Sequence, residues 1–309
     1  MEQCSCSGIC NVNRTRFSTM KEKEFLNIIK NTINSDYIGD DCAYIKDHGI
    51  VVTQDNLAEN IHFSLEYTTP YKLGYKSAMV NISDIAASGA KPEYITVGLS
   101  LPKNTDDKFV EEFYKGIKDT GIQVIGGDIT GSDKIFISIT AIGSTKDRTI
   151  SSRKNAKIGY KVITTGFHGS SAAGLKQLQN GIKSGKFVDA HLMPKARTGV
   201  SKYIAENINT NYAMMDTSDG LADALMQISE QSGVSIQLDN IPYDKDIEQF
   251  ENYMDLVLYG GEDYELVACV PEDFEVPNTY TIGKVVQGSG VMYKGQKITS
   301  EKIFNHFCL

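Results

Sequence analysis

A chain of 309 residues that is 41% hydrophobic and 23% charged has ordinary globular composition and can bury one large core or two medium ones. Its net charge of -8 excludes a general nucleic-acid surface, which needs clustered Lys and Arg, but leaves phosphate binding through a bridging metal open. No apolar run approaches the roughly 20 residues of a membrane helix and the N-terminus has no apolar secretory core, so a cytoplasmic protein is expected.

Residues 1–16 form a polar leader with Cys4, Cys6 and Cys10. Three thiolates are part of a soft-metal set, but no fourth ligand follows nearby, and the leader is expected to be a disordered tail. The scattered Cys42, Cys269 and Cys308 fit reduced cytosolic thiols rather than a disulfide framework. Phe25, Ile28 and Ile29 mark a short amphipathic helix over Lys21–Asn31. Gly49–Thr53 reads as a strand, and Tyr71–Ser88 as a helix ended by Gly89 in a left-handed conformation. A strand over Tyr94–Leu101 leads to a helix capped by Thr105 and running to about Gly121. Ile122–Ile125 is a further strand that ends in Gly126-Gly127-Asp128.

Over Lys134–Ile142, Ile135, Ile137 and Ile139 alternate with Ser138 and Thr140, the pattern of a half-buried strand in an antiparallel or mixed sheet. The basic stretch Lys146–Lys157 reads as a connection between domains, and Tyr160–Thr164 opens a second unit. Helices near Ala172–Gln179 and Leu221–Gln231, strands near Ala213–Met215, Val234–Leu238 and Tyr264–Val270, and a short β-rich tail complete it. The expected architecture is α/β of the α+β type, with mixed sheets flanked by helices in two domains, 17–145 and 146–309.

Carboxylates stand at the ends of these strands. Asp40 and Asp41 precede one, Asp55 follows another, Asp128 a third, and Asp216 and Asp219 a fourth. On the long helix Ser77, Asn81, Asp84 and Ser88 fall at i, i+4, i+7 and i+11, one polar stripe opposite Met79, Ile82 and Ala86. Any one aspartate can simply terminate an element. Converging carboxylates, by contrast, repel unless divalent cations are present, and Mg²⁺ fits an all-oxygen set that shares the ion with substrate phosphates. Gly166–Gly174 runs from a strand into a helix and reads equally as an anion-binding turn or a packing turn. It lacks the Gly-Lys-Ser/Thr of a Walker loop.

Six segments carry a resemblance: Ile38-Gly39-Asp40-Asp41-Cys42-Ala43; Thr53-Gln54-Asp55 with Ile61-His62-Phe63; Val80 to Ala90; Gly126-Gly127-Asp128; Met215-Asp216-Thr217-Ser218-Asp219-Gly220-Leu221; and Gly260-Gly261-Glu262-Asp263-Tyr264-Glu265-Leu266. From about Phe17 to Leu309 the chain resembles the thiamine-monophosphate kinase family, of the superfamily shared with aminoimidazole ribonucleotide synthetase and selenophosphate synthetase. The resemblance implies Mg²⁺-dependent transfer of the ATP γ-phosphoryl group to thiamine monophosphate, several Mg²⁺ ions, and a homodimer formed through the N-terminal domain.

It places Asp41, Thr53, Gln54, Asp55, Asp84, Asp128, Asp216 and Asp219 at metal positions, although Gln54 stands where the family commonly has Thr. Tyr114, Gly127, Asp128, Arg153 and Ser218 match nucleotide positions, and His62, Glu262 and Phe304 match substrate positions. Asp55, Asp84, Asp128 and Arg153 are thereby the residues expected to act on the transferring group. No covalent protein nucleophile is needed, so Cys42 and His62 carry none of the bond-making. Two other readings stay open: a selenophosphate synthetase-like enzyme and a non-catalytic, metal-dependent nucleotide sensor. Cys4, Cys6 and Cys10 match the reactive segment of the first poorly, and the second has no need of so many acids.

Overall fold

The computed structural model describes residues 20–303; the 1–16 leader and Phe304 lie outside the described residues. A first, short body carries helix α1 (Met20–Ile33), and a second body begins at Tyr37. Among the described residues, no helix is long and apolar enough to cross a membrane.

The second body contains two mixed sheets. In the first, β1 (Ala43–Ile45), β2 (Ile50–Ala58), β3 (Lys91–Leu101), β4 (Gln123–Gly131) and β5 (Phe136–Ser144) are arranged in the order β1-β2-β5-β3-β4. The alternation in β5 has its expected consequence: Ile137, Ile139 and Ala141 are buried on one face, and the strand pairs antiparallel with both β2 and β3. Strand β4 instead runs parallel to β3, because helix α3 (Asp107–Asp119) carries the chain back across the sheet. The cap of α3 is Asp106, not Thr105: its carboxylate accepts from the Phe109 N–H at 2.8 Å, where a negative acceptor also complements the helix dipole.

Helix α2 (Pro70–Ser88) organises the site. Thr69 caps it with a hydroxyl accepting from the Lys72 N–H, Pro70 opens it, and Gly89 closes it at φ 87°. Its Ala- and Ile-rich surface is buried on nearly every side, against β2, β5 and α3 on one flank and against the second sheet's edge on the other. In the polar stripe Ser77, Asn81 and Ser88 are buried and hydrogen-bonded, while opposite them Ile82 and Ala86 are buried as well.

The second sheet contains β6 (Lys161–Thr164), β7 (Ala213–Asp216), β8 (Ser235–Leu238), β9 (Leu266–Val270), β10 (Tyr280–Val286), β11 (Gly290–Tyr293) and β12 (Gln296–Lys297), in the order β12-β11-β8-β10-β6-β9-β7. Around it lie α4 (Ser170–Gln179), α5 (Lys186–Leu192), α6 (Thr198–Asn207), α7 (Leu221–Ser232) and α8 (Tyr253–Tyr259). Strand β9 begins at Leu266 rather than Tyr264, whose φ of 52° is incompatible with a strand. The basic connection is pinned rather than loose: the Ser151 N–H donates to Ser88 O and its hydroxyl to Ala87 O, locking it to the end of α2. Edge strand β7 lies against α2, so the two sheets meet across one helix.

Candidate active site

Four carboxylates converge where α2 bridges the sheets. Asp55 comes from β2, Asp84 from α2, Asp216 from the end of β7, and Asp41 from the turn before β1. Ligand oxygens of Asp41, Asp84 and Asp216 all lie within 4.8 Å of one another. Each has a local reason to be there. Strand alternation in β2 turns Thr53 and Asp55 toward α2, where the Thr53 hydroxyl donates to Asp84 at 2.6 Å and the Asp55 N–H donates to the Asn81 side chain at 3.1 Å. Asp40 accepts from the Arg153 N–H at 2.8 Å and from the Ser152 hydroxyl, which leaves the neighbouring Asp41 facing the cluster.

Burial is the leading cause that raises all four carboxyls, with neighbouring acids adding to it at Asp41, Asp55 and Asp84. Asp41 is pushed up to about 6 and Asp55 to about 7, and Asp84 lies well above the usual carboxylate range. Asp216 is raised less simply, because the Ser83 hydroxyl at 2.6 Å and the Ser218 hydroxyl at 2.8 Å oppose its burial. Arg153 brings a cation to the cluster, its Nη2 3.0 Å from Asp41, while its buried Nε has no hydrogen-bond partner. An all-oxygen donor set with excess negative charge fits a hard divalent cation such as Mg²⁺. The thiol beside these acids, Cys42, is buried, donates to the Asp84 carbonyl at 3.3 Å and is raised well above its ordinary value by that burial, so it offers no soft ligand.

The other expected positions lie at different distances from this cluster. Gln54 points to the opposite face of β2, where its side chain accepts from Thr140, so only its backbone is near the acids. Ser218 is beside Asp216, and Asp219 follows in the same turn. Asp128 is on exposed β4: it pairs with Gly98, three strand spacings or about 14 Å across the sheet from β2. Gly127 is required there by backbone packing, since a Cβ would stand 2.0 Å from the Val97 carbonyl oxygen. Tyr114 packs on the first core in α3, its ring edge-on to Phe113 at 5.5 Å.

A second cluster surrounds Glu262. The Lys76 ammonium is 3.0 Å from Oε1, and His191 Nδ1 is 3.3 Å from Oε2. Burial raises this carboxyl, but the Lys76 ammonium, by charge and hydrogen bond, is the foremost of the groups that outweigh it, and the net result lies below the ordinary value. His62 is close enough to contribute in the same direction; its Nδ1 accepts from the Ala58 N–H, which puts the proton of the neutral ring on Nε2. Glu262 and Tyr264 hold φ of 65° and 52°, sparsely populated values for side chains of this size that turn successive residues in opposite directions. Tyr264 is consequently buried between the two clusters, its phenol raised by burial and by Glu262, Asp55, Asp216 and Asp84. Asp263 turns away and accepts from the Gly169 and Ser171 N–H groups at 2.6 and 2.8 Å. The turn before α4 is thus satisfied by a protein carboxylate, which resolves Gly166–Gly174 as a packing turn.

Sequence reasoning missed Ser83, Lys76, His191 and Tyr264. Ser83 and Tyr264 lie inside two of the segments that carry the resemblance, which was a signal for them; Lys76 and His191 had none.

Residues 39–145 match the family "AIR synthase related protein, N-terminal domain". The chain is 32% identical to a thiamine-monophosphate kinase of Aquifex aeolicus, over 94% of this chain and 100% of that one. It is 35% identical to one of Bacillus subtilis, over 77% and 79%. Among solved structures, one described as AaThiL complexed with AMPPCP and TMP superposes with a TM-score of 0.86 at 32% identity, covering 93% of this chain and 97% of that chain. At 32% identity over nearly the whole length of both chains, this chain belongs to the thiamine-monophosphate kinase family.

Proposed function

We propose that the protein transfers the γ-phosphoryl group of ATP to thiamine monophosphate, giving thiamine diphosphate and ADP. The observation that carries this reading is the intact carboxylate cluster in a chain matched end to end by kinases of that name. An oxygen of the acceptor's phosphate attacks the γ-phosphorus in line, the bond to the β,γ-bridging oxygen breaks, and ADP leaves with that electron pair. Bound Mg²⁺ would supply the charge neutralisation that lets two polyanions approach in the cleft.

We assign Asp41, Asp55, Asp84 and Asp216 as the acids that hold the metal, assisted by Thr53 and the Gln54 backbone, with Asp219 at their margin. Asp128, Gly127, Tyr114, Arg153 and Ser218 keep the nucleotide roles that the family match implies, and His62, Glu262 and Phe304 the acceptor roles. Arg153 contributes a permanent positive charge beside Asp41, where the transferring group carries its negative oxygens. We read residues 17–145 and 146–309 as two domains of a cytoplasmic enzyme. A homodimer through the first sheet is supported by β4, an edge strand whose residues are all exposed, with Ile125 51% and Ile129 61% accessible. The nucleotide-sensor reading explains neither the acceptor-side cluster around Glu262 nor the four acids.

Purified protein incubated with ATP, Mg²⁺ and a panel of monophosphates should form diphosphate only from thiamine monophosphate. Product from a different acceptor alone would overturn the assignment. Ser83→Ala should leave the fold intact but raise the Mg²⁺ concentration for half-maximal activity about tenfold, because ligand-orienting hydrogen bonds are typically worth 10–100-fold in metal affinity. A Mg²⁺ titration of activity checks this; an unchanged midpoint would show that the 2.6 Å bond to Asp216 does not tune the site.

A further inference from the structure

Lys76 is a lysine of α2 that the fold buries, with only 4% of its side chain accessible. Buried ammonium groups are retained when they are paired, and the partner here is Glu262 at 3.0 Å. The two come from different sheets' surroundings: Lys76 from α2, Glu262 from the turn before β9.

We propose that Lys76 is a positioning residue for acceptor recognition, fixing the Glu262 carboxylate so that it presents its remaining lone pairs to the amino-bearing, cationic ring system of the acceptor. This rests on the thiamine-monophosphate reading above and names a residue that reading does not contain. Three features support it. Glu262 is held at one oxygen by Lys76 and approached at the other by His191, yet 27% of its side chain stays accessible, so the clamp leaves room for a ligand. Each carboxylate oxygen accepts two hydrogen bonds, so the Lys76 ammonium on one of them and the nearby His191 ring do not exhaust the carboxylate. The backbone of Glu262 is left-handed, which makes the side chain's direction depend on its partners rather than on a relaxed strand or helix.

His191 completes the clamp without adding charge. Burial and then Lys76 pull it down to about 4, so the ring is neutral near pH 7 and also meets the Ser171 hydroxyl at 3.0 Å. A Lys76–Glu262 pair is itself neutral overall. Selectivity at this end therefore comes from directed hydrogen bonds to the ring rather than from net charge, as suits a site that must tell one cation from another. Lys76 also lies two helical turns before Asp84 on α2, about 12 Å along the axis, so one rigid element sets both the ring end and the phosphoryl end of the acceptor site.

Steady-state kinetics of full-length Lys76→Met, Lys76→Arg, Glu262→Gln and the double variant test the proposal. Lys76→Met should raise the KM for thiamine monophosphate at least tenfold while the KM for ATP and kcat change less than about threefold, and Lys76→Arg should recover most of the loss. In the Glu262→Gln background the Lys76→Met change should add less than twofold, since its effect runs through that carboxylate. Equal rises in both KM values, or a further tenfold loss in the double variant, would overturn the proposal. Should Lys76→Met alone fail to fold, the double variant, which removes both buried charges, answers the same question when compared with Glu262→Gln. Wild-type protein inactive on thiamine monophosphate would instead sink the kinase reading and this proposal with it, a result distinguishable from every variant outcome.

Discussion

Asp84→Asn should lower kcat by about three orders of magnitude or more and, in the same protein, raise the melting temperature of the metal-free form. The two effects have opposite signs because one group is asked to do two incompatible things. Ionised, Asp84 is in the proposed role a negative ligand beside Asp41 and Asp216, whose oxygens lie within 4.8 Å of its own, and its charge would be needed to hold the metal for phosphoryl transfer. Without the metal that same charge is buried among other acids, and the fold resists it. Asparagine keeps an oxygen that can accept from the Thr53 hydroxyl, so packing is preserved while the repulsion is removed.

The pH dependence of the metal-free protein follows from the same groups. Asp41 and Asp55 titrate at about 6 and about 7 in the fold against an ordinary value of 3.8. Between roughly pH 4 and 7 the folded state therefore binds more protons than the unfolded chain, and stability falls as pH rises through that window. Thermal unfolding in excess chelator should show a higher Tm at pH 5 than at pH 7.5, with Asp84→Asn flattening the difference by a few degrees. Mg²⁺ should restore Tm at pH 7.5 and do little at pH 5. An Asp84→Asn protein with wild-type turnover, or one less stable than wild type without metal at pH 7.5, would contradict the metal-cluster account.

Much of this cluster was legible before the fold was known, because a carboxylate after an apolar strand has few structural tasks. Asp216, the last residue of β7, was identifiable in that way and Asp84 by its place in a polar stripe, whereas Asp55 lies inside β2, which runs on to Ala58 beyond the strand expected over Gly49–Thr53. The stripe itself was legible only in part. Its spacing located α2 correctly, but in a helix wedged between two sheets Ser77, Asn81 and Ser88 are buried hydrogen-bonding groups, which the spacing alone does not distinguish from Asp84 at the acid cluster. Lys76 and His191 were invisible for the same reason: their role depends on Glu262, nearly 190 residues from Lys76 and about 70 from His191 in the chain. Short helices such as α5 and α8 escaped notice because seven residues hold too few turns to show a period. The displacement of Asp128 from the acids was equally hidden, since it depends on β4 pairing outside β3 rather than beside β2.

The choice of acceptor is the central claim. Thiamine monophosphate and free thiamine share both rings, so the proposed Glu262 clamp would bind either; they differ in the group that must attack. A phosphate monoester is largely ionised at neutral pH, with a second pKa near 6, and needs no base to become a nucleophile. A free hydroxyl benefits from a positioned base, as in kinases that use a catalytic-loop aspartate. The carboxylates of this cleft are placed to hold cations rather than to take a proton from an alcohol: they are clustered, buried and tied to Thr53, Ser83, Ser218 and Arg153. Free thiamine also lacks the anionic end that the metal cluster would anchor. The most direct test is therefore product formation from the two acceptors at matched concentration, with ATP and Mg²⁺ saturating. Thiamine diphosphate should form from thiamine monophosphate at least a thousandfold faster than thiamine monophosphate forms from thiamine; comparable turnover of free thiamine would contradict the account even if every metal prediction held.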